Sequence, residues 1–340
     1  MFLNEDIRHL SLYMTLLENR IFAIADESEF TACAVEIFRK QYREIEVYRQ
    51  FVDALKISPA KVKHETEIPF IPIEFFKKHQ LLGTAVIVDV VFSSSGTTGS
   101  ATSKHFVKDV SLYEQSYQSA FEHFYGKIQD ICVLALLPNY LEREGSSLIY
   151  MVDDLIKQSQ HPESGFLLYE HEMLFEKLSH LKRQSQKTLL IGVTYALLDF
   201  VERYQLDFPD LMVMETGGMK GKRKELVREE LHEQLCKGFG VEGIHSEYGM
   251  TELLSQAYSK GEGVFECPPW MKVLIRDIND PLDLLPEGKS GGINVIDLAN
   301  INSCSFIATQ DLGKCLSTKR FEVLGRFDNS DIRGCNLMVG

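Results

Sequence analysis

The chain has 340 residues, with 36 lysines and arginines against 49 aspartates and glutamates, for a formal net charge of -13. Apolar residues make up 44% and charged residues 25%, a globular composition that excludes a disordered chain, a collagen-like repeat and a disulfide miniprotein. Sequence-independent nucleic-acid binding needs a basic surface, so a polyanion would be held here by backbone N–H groups, a metal ion or a few cations.

Residues 1 to about 55 read as helical: Phe30, Ala34, Phe38, Tyr42, Ile45 and Phe51 recur mostly at three- and four-residue steps. Pro59, Pro69 and Pro72 end that pattern and give residues 57–73 extended character. Ala85 to Phe92 is β-branched and reads as a strand running into Ser93-Ser94-Ser95-Gly96-Thr97-Thr98-Gly99-Ser100, followed by a helix from about Val110 to Tyr125. Further strands are expected at residues 131–137, 188–193 and 211–214, with helices over 163–185 and 223–236. Alternating strands and helices predict an α/β fold with a largely parallel sheet. From about residue 262 the helices give way to short strands (264–266, 271–275, 292–298, 305–309 and 321–324) separated by Pro, Gly, Asp and Asn, the pattern of a small β-rich meander or barrel.

No apolar run reaches the roughly 18 to 20 residues that span a bilayer; residues 189–201 come nearest and are interrupted by Thr194, Tyr195 and Asp199. Glu5 and Asp6 stand where a signal peptide carries positive charge, so a cytoplasmic protein is expected. The seven cysteines, Cys33, Cys132, Cys236, Cys267, Cys304, Cys315 and Cys335, are odd in number and contain no C-x-x-C pair, which argues against a disulfide framework or a zinc-cysteine site.

Five short segments carry chemistry. In Ser94 to Gly99, two glycines expose N–H groups and four hydroxyls can bond phosphate oxygens, although the loop lacks the lysine of a Walker A motif. Lys104 is either a phosphate contact or a solvated lysine. Gly217-Gly218 after a strand lets a planar ligand lie against backbone, and equally makes a tight turn. Tyr248-Gly249-Met250-Thr251-Glu252 puts an aromatic ring, a hydroxyl and a carboxylate within five residues, fit to stack a base, bond a phosphate and hold Mg²⁺. Thr309-Gln310-Asp311 and Gly325-Arg326-Phe327-Asp328 place an acid and an arginine where ribose or phosphate could be met, and each also reads as turn chemistry.

Taken together and in this order, these segments resemble the adenylate-forming superfamily of acyl-CoA synthetases. Ser94 to Gly99 is similar to its phosphate loop, and Tyr248 to Glu252 matches its Y-G-x-T-E without departure. Thr309-Gln310-Asp311 departs from T-G-D at the middle residue. Ile68-Pro69-Phe70-Ile71-Pro72, Phe75-Phe76-Lys77, Leu136 to Leu141 and Ser146-Ser147-Leu148 resemble the LuxE-type acyl-protein synthetases, which are related to phenylacetate-CoA ligases. The resemblance implies a division into an N-terminal helical region packed on the core (1–80), an α/β nucleotide-binding core (81–262), a β-rich subdomain (263–324) and a tail (325–340). It also leads to the expectation that the C-terminal lid domain of larger relatives is absent.

By the same resemblance, ATP and Mg²⁺ are the cofactors. Ser94, Ser95, Gly96, Thr97, Thr98, Gly99 and Lys104 would hold phosphates, with Thr251 on the α-phosphate and Glu252 on the metal. Gly217, Gly218, Tyr248 and Gly249 would hold the adenine, Asp311 the ribose, and Arg326 ribose or phosphate. Cys335, near the C-terminus in Arg333-Gly334-Cys335-Asn336, would be the acyl acceptor. The implied reaction activates a carboxylic acid, by family a fatty acid, and passes the acyl group to Cys335 for delivery to an acyl reductase or another acceptor protein. Two other readings stand beside it: a ligase that transfers the acyl group to coenzyme A or a carrier-protein thiol, and a non-catalytic adenylate-binding scaffold.

Overall fold

The computed structural model describes residues 17–94, 102–138, 145–217 and 226–327. They divide into two compact units, one formed by the described residues up to 87 together with those from 269 on, the other by Val88–Pro268.

The first unit opens with helices α1 (Glu27–Glu44) and α2 (Glu46–Ala54), the two-residue strand β1 (Ile71–Pro72) and the short helix α3 (Phe75–Lys78). Asp26 caps α1 by accepting from the Glu29 N–H at 2.9 Å. The second unit then runs through β2 (Val90–Ser93), β3 (Lys104–Val107), α4 (Val110–Tyr125), β4 (Cys132–Leu136), α5 (Ser147–Ser159), β5 (Gly165–Leu167), α6 (His171–Arg183), β6 (Thr188–Val193), α7 (Thr194–Val201), β7 (Met212–Thr216), α8 (Arg228–Phe239), β8 (His245–Tyr248), β9 (Ala257–Ser259) and β10 (Val264–Glu266). The first unit resumes with β11 (Met271–Arg276), β12 (Ser290–Asp297), β13 (Phe306–Ser317) and β14 (Arg320–Arg326).

In the second unit the strand order is β10-β9-β8-β7-β6-β4-β5. The pairs from β5 to β8 are parallel, while β9 and β10 are antiparallel. Every residue of β4 and β6 is buried, as expected of a parallel sheet covered on both faces. The chain leaves β4 toward β5 on one side and returns to β6 on the other. This is a switch point, and α/β sheets bind ligands outside the carboxyl ends of their strands near such points. β2 and β3 form a separate antiparallel hairpin.

In the first unit β11 to β14 form an antiparallel meander, and β1 lies parallel to β13. The buried side chain of Gln41 on α1 donates to the Asn300 carbonyl at 3.0 Å and accepts from the Ser305 N–H at 3.1 Å, anchoring the helix to the turn before β13. Tyr48 stacks on Phe306, with ring centroids 6.3 Å apart, and its hydroxyl donates to the Pro69 carbonyl.

The strand expected from Ala85 starts at Val90, because Ala85 takes a left-handed backbone (φ 57°) that breaks an extended run. The helix expected over residues 163–185 begins only at His171; Gly165–Leu167 is instead the edge strand paired with β4. The C-terminal β-rich segment is a meander and not a barrel among the described residues. No described helix is long and apolar enough to cross a membrane.

A buried ion pair joins the first unit's helical and strand parts. Lys272 on β11 bonds Glu65 at 2.8 Å and also Glu27, and its ammonium lies 4.5 Å from the centre of the Phe30 ring. Burial alone would raise the Glu65 carboxyl, but bonds from Lys272 and Thr31 outweigh it and hold that carboxyl below the ordinary range. Lys272→Met is expected to cost about 3–5 kcal/mol in urea denaturation, because it strands a buried carboxylate. Adding Glu65→Leu should recover most of that loss. The pair's contribution is full above the ordinary glutamate value of about 4.3 and is lost as pH falls through the lowered folded value.

Candidate active site

The carboxyl ends of β7 and β8 carry most of the sequence-predicted residues that the structure describes. After β7 the chain reaches Gly217, an exposed residue with φ 63°, a conformation that favours glycine. β8 ends at Tyr248, and Gly249, Thr251 and Glu252 follow it. Tyr248 is buried, its ring edge-on to Phe265 at 5.9 Å. The Arg228 guanidinium lies over the other aromatic partner, 5.4 Å from the Phe265 ring centre. Met250 to Leu253 form a tight turn, with the Leu253 N–H bonded to the Met250 carbonyl at 3.0 Å. Glu252 is buried at 5% exposure and Thr251 is half-buried.

The β2–β3 hairpin, whose strands flank the phosphate-loop segment in sequence, meets the same turn through His105. The Ser94 N–H donates to the Ser103 carbonyl at 3.0 Å, and the Ser94 hydroxyl accepts from the Ser103 N–H at 2.9 Å, so Ser94 closes the base of the loop. Lys104 is exposed and pairs with Ser93. Ser95, Gly96, Thr97, Thr98, Gly99, Gly218 and Cys335 lie outside the described residues.

His105, absent from the sequence reading, joins the hairpin to the turn. Its buried Nδ1 lies 2.9 Å from the Thr251 carbonyl. A carbonyl only accepts, so Nδ1 carries the proton. Burial pushes the imidazole down to about 4, the bond to Thr251 opposing, and His105 is neutral at physiological pH. His105→Phe is expected to lower nucleotide-dependent turnover about 10- to 10²-fold through misplacement of Thr251. His105→Asn, which can still donate to that carbonyl, should recover part of it in the same assay.

A polar network backs this end of the sheet. Thr194, at the start of α7, donates to Glu215 and to the Gly217 carbonyl, both at 3.2 Å. Thr216 donates to Glu247 at 2.6 Å. Burial would raise the Glu215 carboxyl, but the polar groups of His232 and Ser246 with the Arg228 charge hold it below the ordinary range. Glu247 goes the other way: burial pushes it up to about 7, the Thr216 bond opposing and the Glu215 charge adding. The sequence signal for this network is faint: one acid inside each of two short strands, Met212–Thr216 and His245–Tyr248.

The remaining predicted residues belong to the first unit. Asp311 is buried on β13 and is the register partner of Arg326 on β14, whose Nε donates to Asp311 Oδ1 at 3.2 Å. The Ile68–Lys77 segment docks along the same strand: Ile71 pairs with Ile307, the Ile73 N–H donates to the Ala308 carbonyl, and the Gln310 amide donates to the Glu74 carboxylate. Gln310, which replaces the glycine of T-G-D, thus has its side chain engaged by that segment.

Among the described residues no group of three or more His, Cys, Asp or Glu side chains converges to hold a metal ion. Glu252 is a single buried carboxylate, and Mg²⁺ typically binds through one or two carboxylates together with substrate phosphates. The residues present therefore fit a metal that arrives with a nucleotide.

The fold is that of adenylate-forming ligases. MatB from Rhodopseudomonas palustris, solved with ATP bound, superposes with TM-score 0.53 and 16% identity over 70% of this chain and 48% of its own. The chain thus spans about half of MatB's length. A 2-hydroxyisobutyryl-CoA ligase in complex with 2-HIB-AMP and CoA gives TM-score 0.65 and 13% identity over 93% of this chain and 82% of its own. A long-chain-fatty-acid-CoA ligase, FadD1 from Archaeoglobus fulgidus, gives TM-score 0.51 and 15% identity over 74% and 54%. No curated protein matches the chain significantly. The family description "Acyl-protein synthetase, LuxE" matches residues 15–340, and the chain belongs to that family.

Proposed function

We propose that the chain activates a carboxylic acid, of the fatty class, with MgATP and transfers the acyl group to its own Cys335. The observation that carries this reading is the turn from Tyr248 to Glu252 at the carboxyl end of β8, tied through Thr251 to the hairpin that bears the phosphate loop. Family membership and an ATP-bound neighbour of the same fold support it.

In the first half, a carboxylate oxygen attacks the α-phosphorus of ATP. The bond to the bridging oxygen breaks, and pyrophosphate leaves with the electron pair. Two anions must meet, so the loop N–H groups and Thr251 are assigned to the phosphates. Mg²⁺, held through Glu252, would supply charge neutralisation there. Tyr248 is assigned to the adenine, Asp311 to the ribose and Arg326 to ribose or phosphate. In the second half the Cys335 thiolate attacks the acyl carbon, AMP leaves, and a thioester remains. Five of the other cysteines support this assignment: burial pushes the thiols of Cys33, Cys132 and Cys236 up, Cys304 to about 12 and Cys315 to about 11, so these five hold little thiolate.

A second reading, transfer to coenzyme A, draws support from the CoA-bound ligase that covers 93% of this chain. Incubation with labelled long-chain fatty acid and MgATP separates the two. A hydroxylamine-labile label on the protein is the expected result. Free acyl-CoA formed by this chain, with no labelled protein, would overturn the transfer to Cys335.

A further inference from the structure

Glu247 takes no part in the chemistry above, yet it lies between the two segments assigned to the nucleotide. It is the register partner of Thr216, and Thr216 Oγ1 donates to its Oε2 at 2.6 Å. The other oxygen, Oε1, lies 2.3 Å from where a Cβ on Gly249 would stand. The carboxyl is therefore bonded to the end of β7 and fills the space above Gly249 in the Tyr248–Glu252 turn. Glycine at 249 leaves it the room.

The groups facing Glu247 are Glu215 from β7, Tyr113 and Tyr125 from α4 and Tyr258 from β9. Burial pushes all three tyrosines up, and the Glu247 charge adds to each, so they stay neutral. Glu247 is thus faced by hydroxyls and a second carboxylate.

We propose that Glu247 is a positioning residue for nucleotide binding: bonded to Thr216 and packed over Gly249, it fixes the turn that carries Tyr248, Thr251 and Glu252. The inference rests on the adenylate-forming reading. An ionised Glu247 adds negative charge to a turn that must receive a polyphosphate. Because burial raises this carboxyl to about 7, nucleotide affinity falls as pH rises through that value.

The test is calorimetric titration of the full chain with MgATP at about pH 6 and about pH 8.5, on either side of the raised value. Wild-type affinity is expected to fall roughly 3- to 10-fold over that interval. Glu247→Gln, which still accepts from Thr216, should keep the low-pH affinity at both values apart from any titration of the nucleotide itself. Glu247→Ala should bind weakly at both, and Gly249→Ala should cost less in that background than in the wild type. Glu247→Gln retaining the full wild-type pH dependence, or Gly249→Ala costing the same in both backgrounds, overturns the proposal. A folded wild type with no MgATP binding at either pH overturns the adenylate-forming reading and the inference with it.

Discussion

Glu252→Gln is expected to lower carboxylate-dependent ATP–pyrophosphate exchange by about 10²- to 10³-fold, the usual cost of removing one group that stabilises developing charge. The substitution keeps size and removes the negative charge. Glu252 is buried at 5% exposure inside the turn that follows β8. The proposed role of Glu252 is to hold the cation that arrives with the phosphates. The variant should keep the wild-type thermal midpoint within a few degrees, which separates lost chemistry from lost fold. Exchange at the wild-type rate would remove Glu252 from the metal site.

Cys335→Ser is expected to abolish the hydroxylamine-labile acyl label, with the thermal midpoint unchanged. A serine hydroxyl lacks an accessible anionic form at neutral pH. A free cysteine with pKa about 8.5 already supplies a few per cent thiolate, and thiolates are strong nucleophiles. Of the cysteines with raised thiols, Cys33, Cys132 and Cys304 are at most 2% exposed and would have to leave the core to react. Arg333 is two residues away in sequence and reads first as a solvated arginine; were it instead to lower the Cys335 thiol, Arg333→Ala would slow labelling at pH 7 more than at pH 9. Full labelling of Cys335→Ser would place the acyl group elsewhere.

Much of the fold could be read in advance where one signal dominated. Val110 to Tyr125 and Thr188 to Val193 fall where periodicity and β-branching placed them. The edge strand Gly165–Leu167 escaped because three residues before a strongly periodic helix carry no pattern of their own; β4 makes them a strand by pairing. The site was legible to the extent that its chemistry lies in contiguous residues. Tyr248 to Glu252 is weak alone, because Tyr-Gly is a common turn, and gains meaning from its order with the other segments, whereas His105 reaches Thr251 across 146 positions. Glu247 was in plain view beside Tyr248, but its meaning depends on Thr216 and on the space above Gly249, which only three-dimensional proximity supplies. Asp311 and Arg326 were named separately and meet as register partners, a relation set by the β13–β14 pairing.

The proposed chemistry begins with an acyl-adenylate. Carboxylate-dependent exchange of labelled pyrophosphate into ATP by the wild-type protein reports that step before any thiol is involved. Exchange that requires both the protein and an added fatty acid is the predicted result. A folded protein that catalyses no exchange with carboxylic acids of any chain length, while still binding nucleotide, would contradict it and favour an adenylate-binding scaffold.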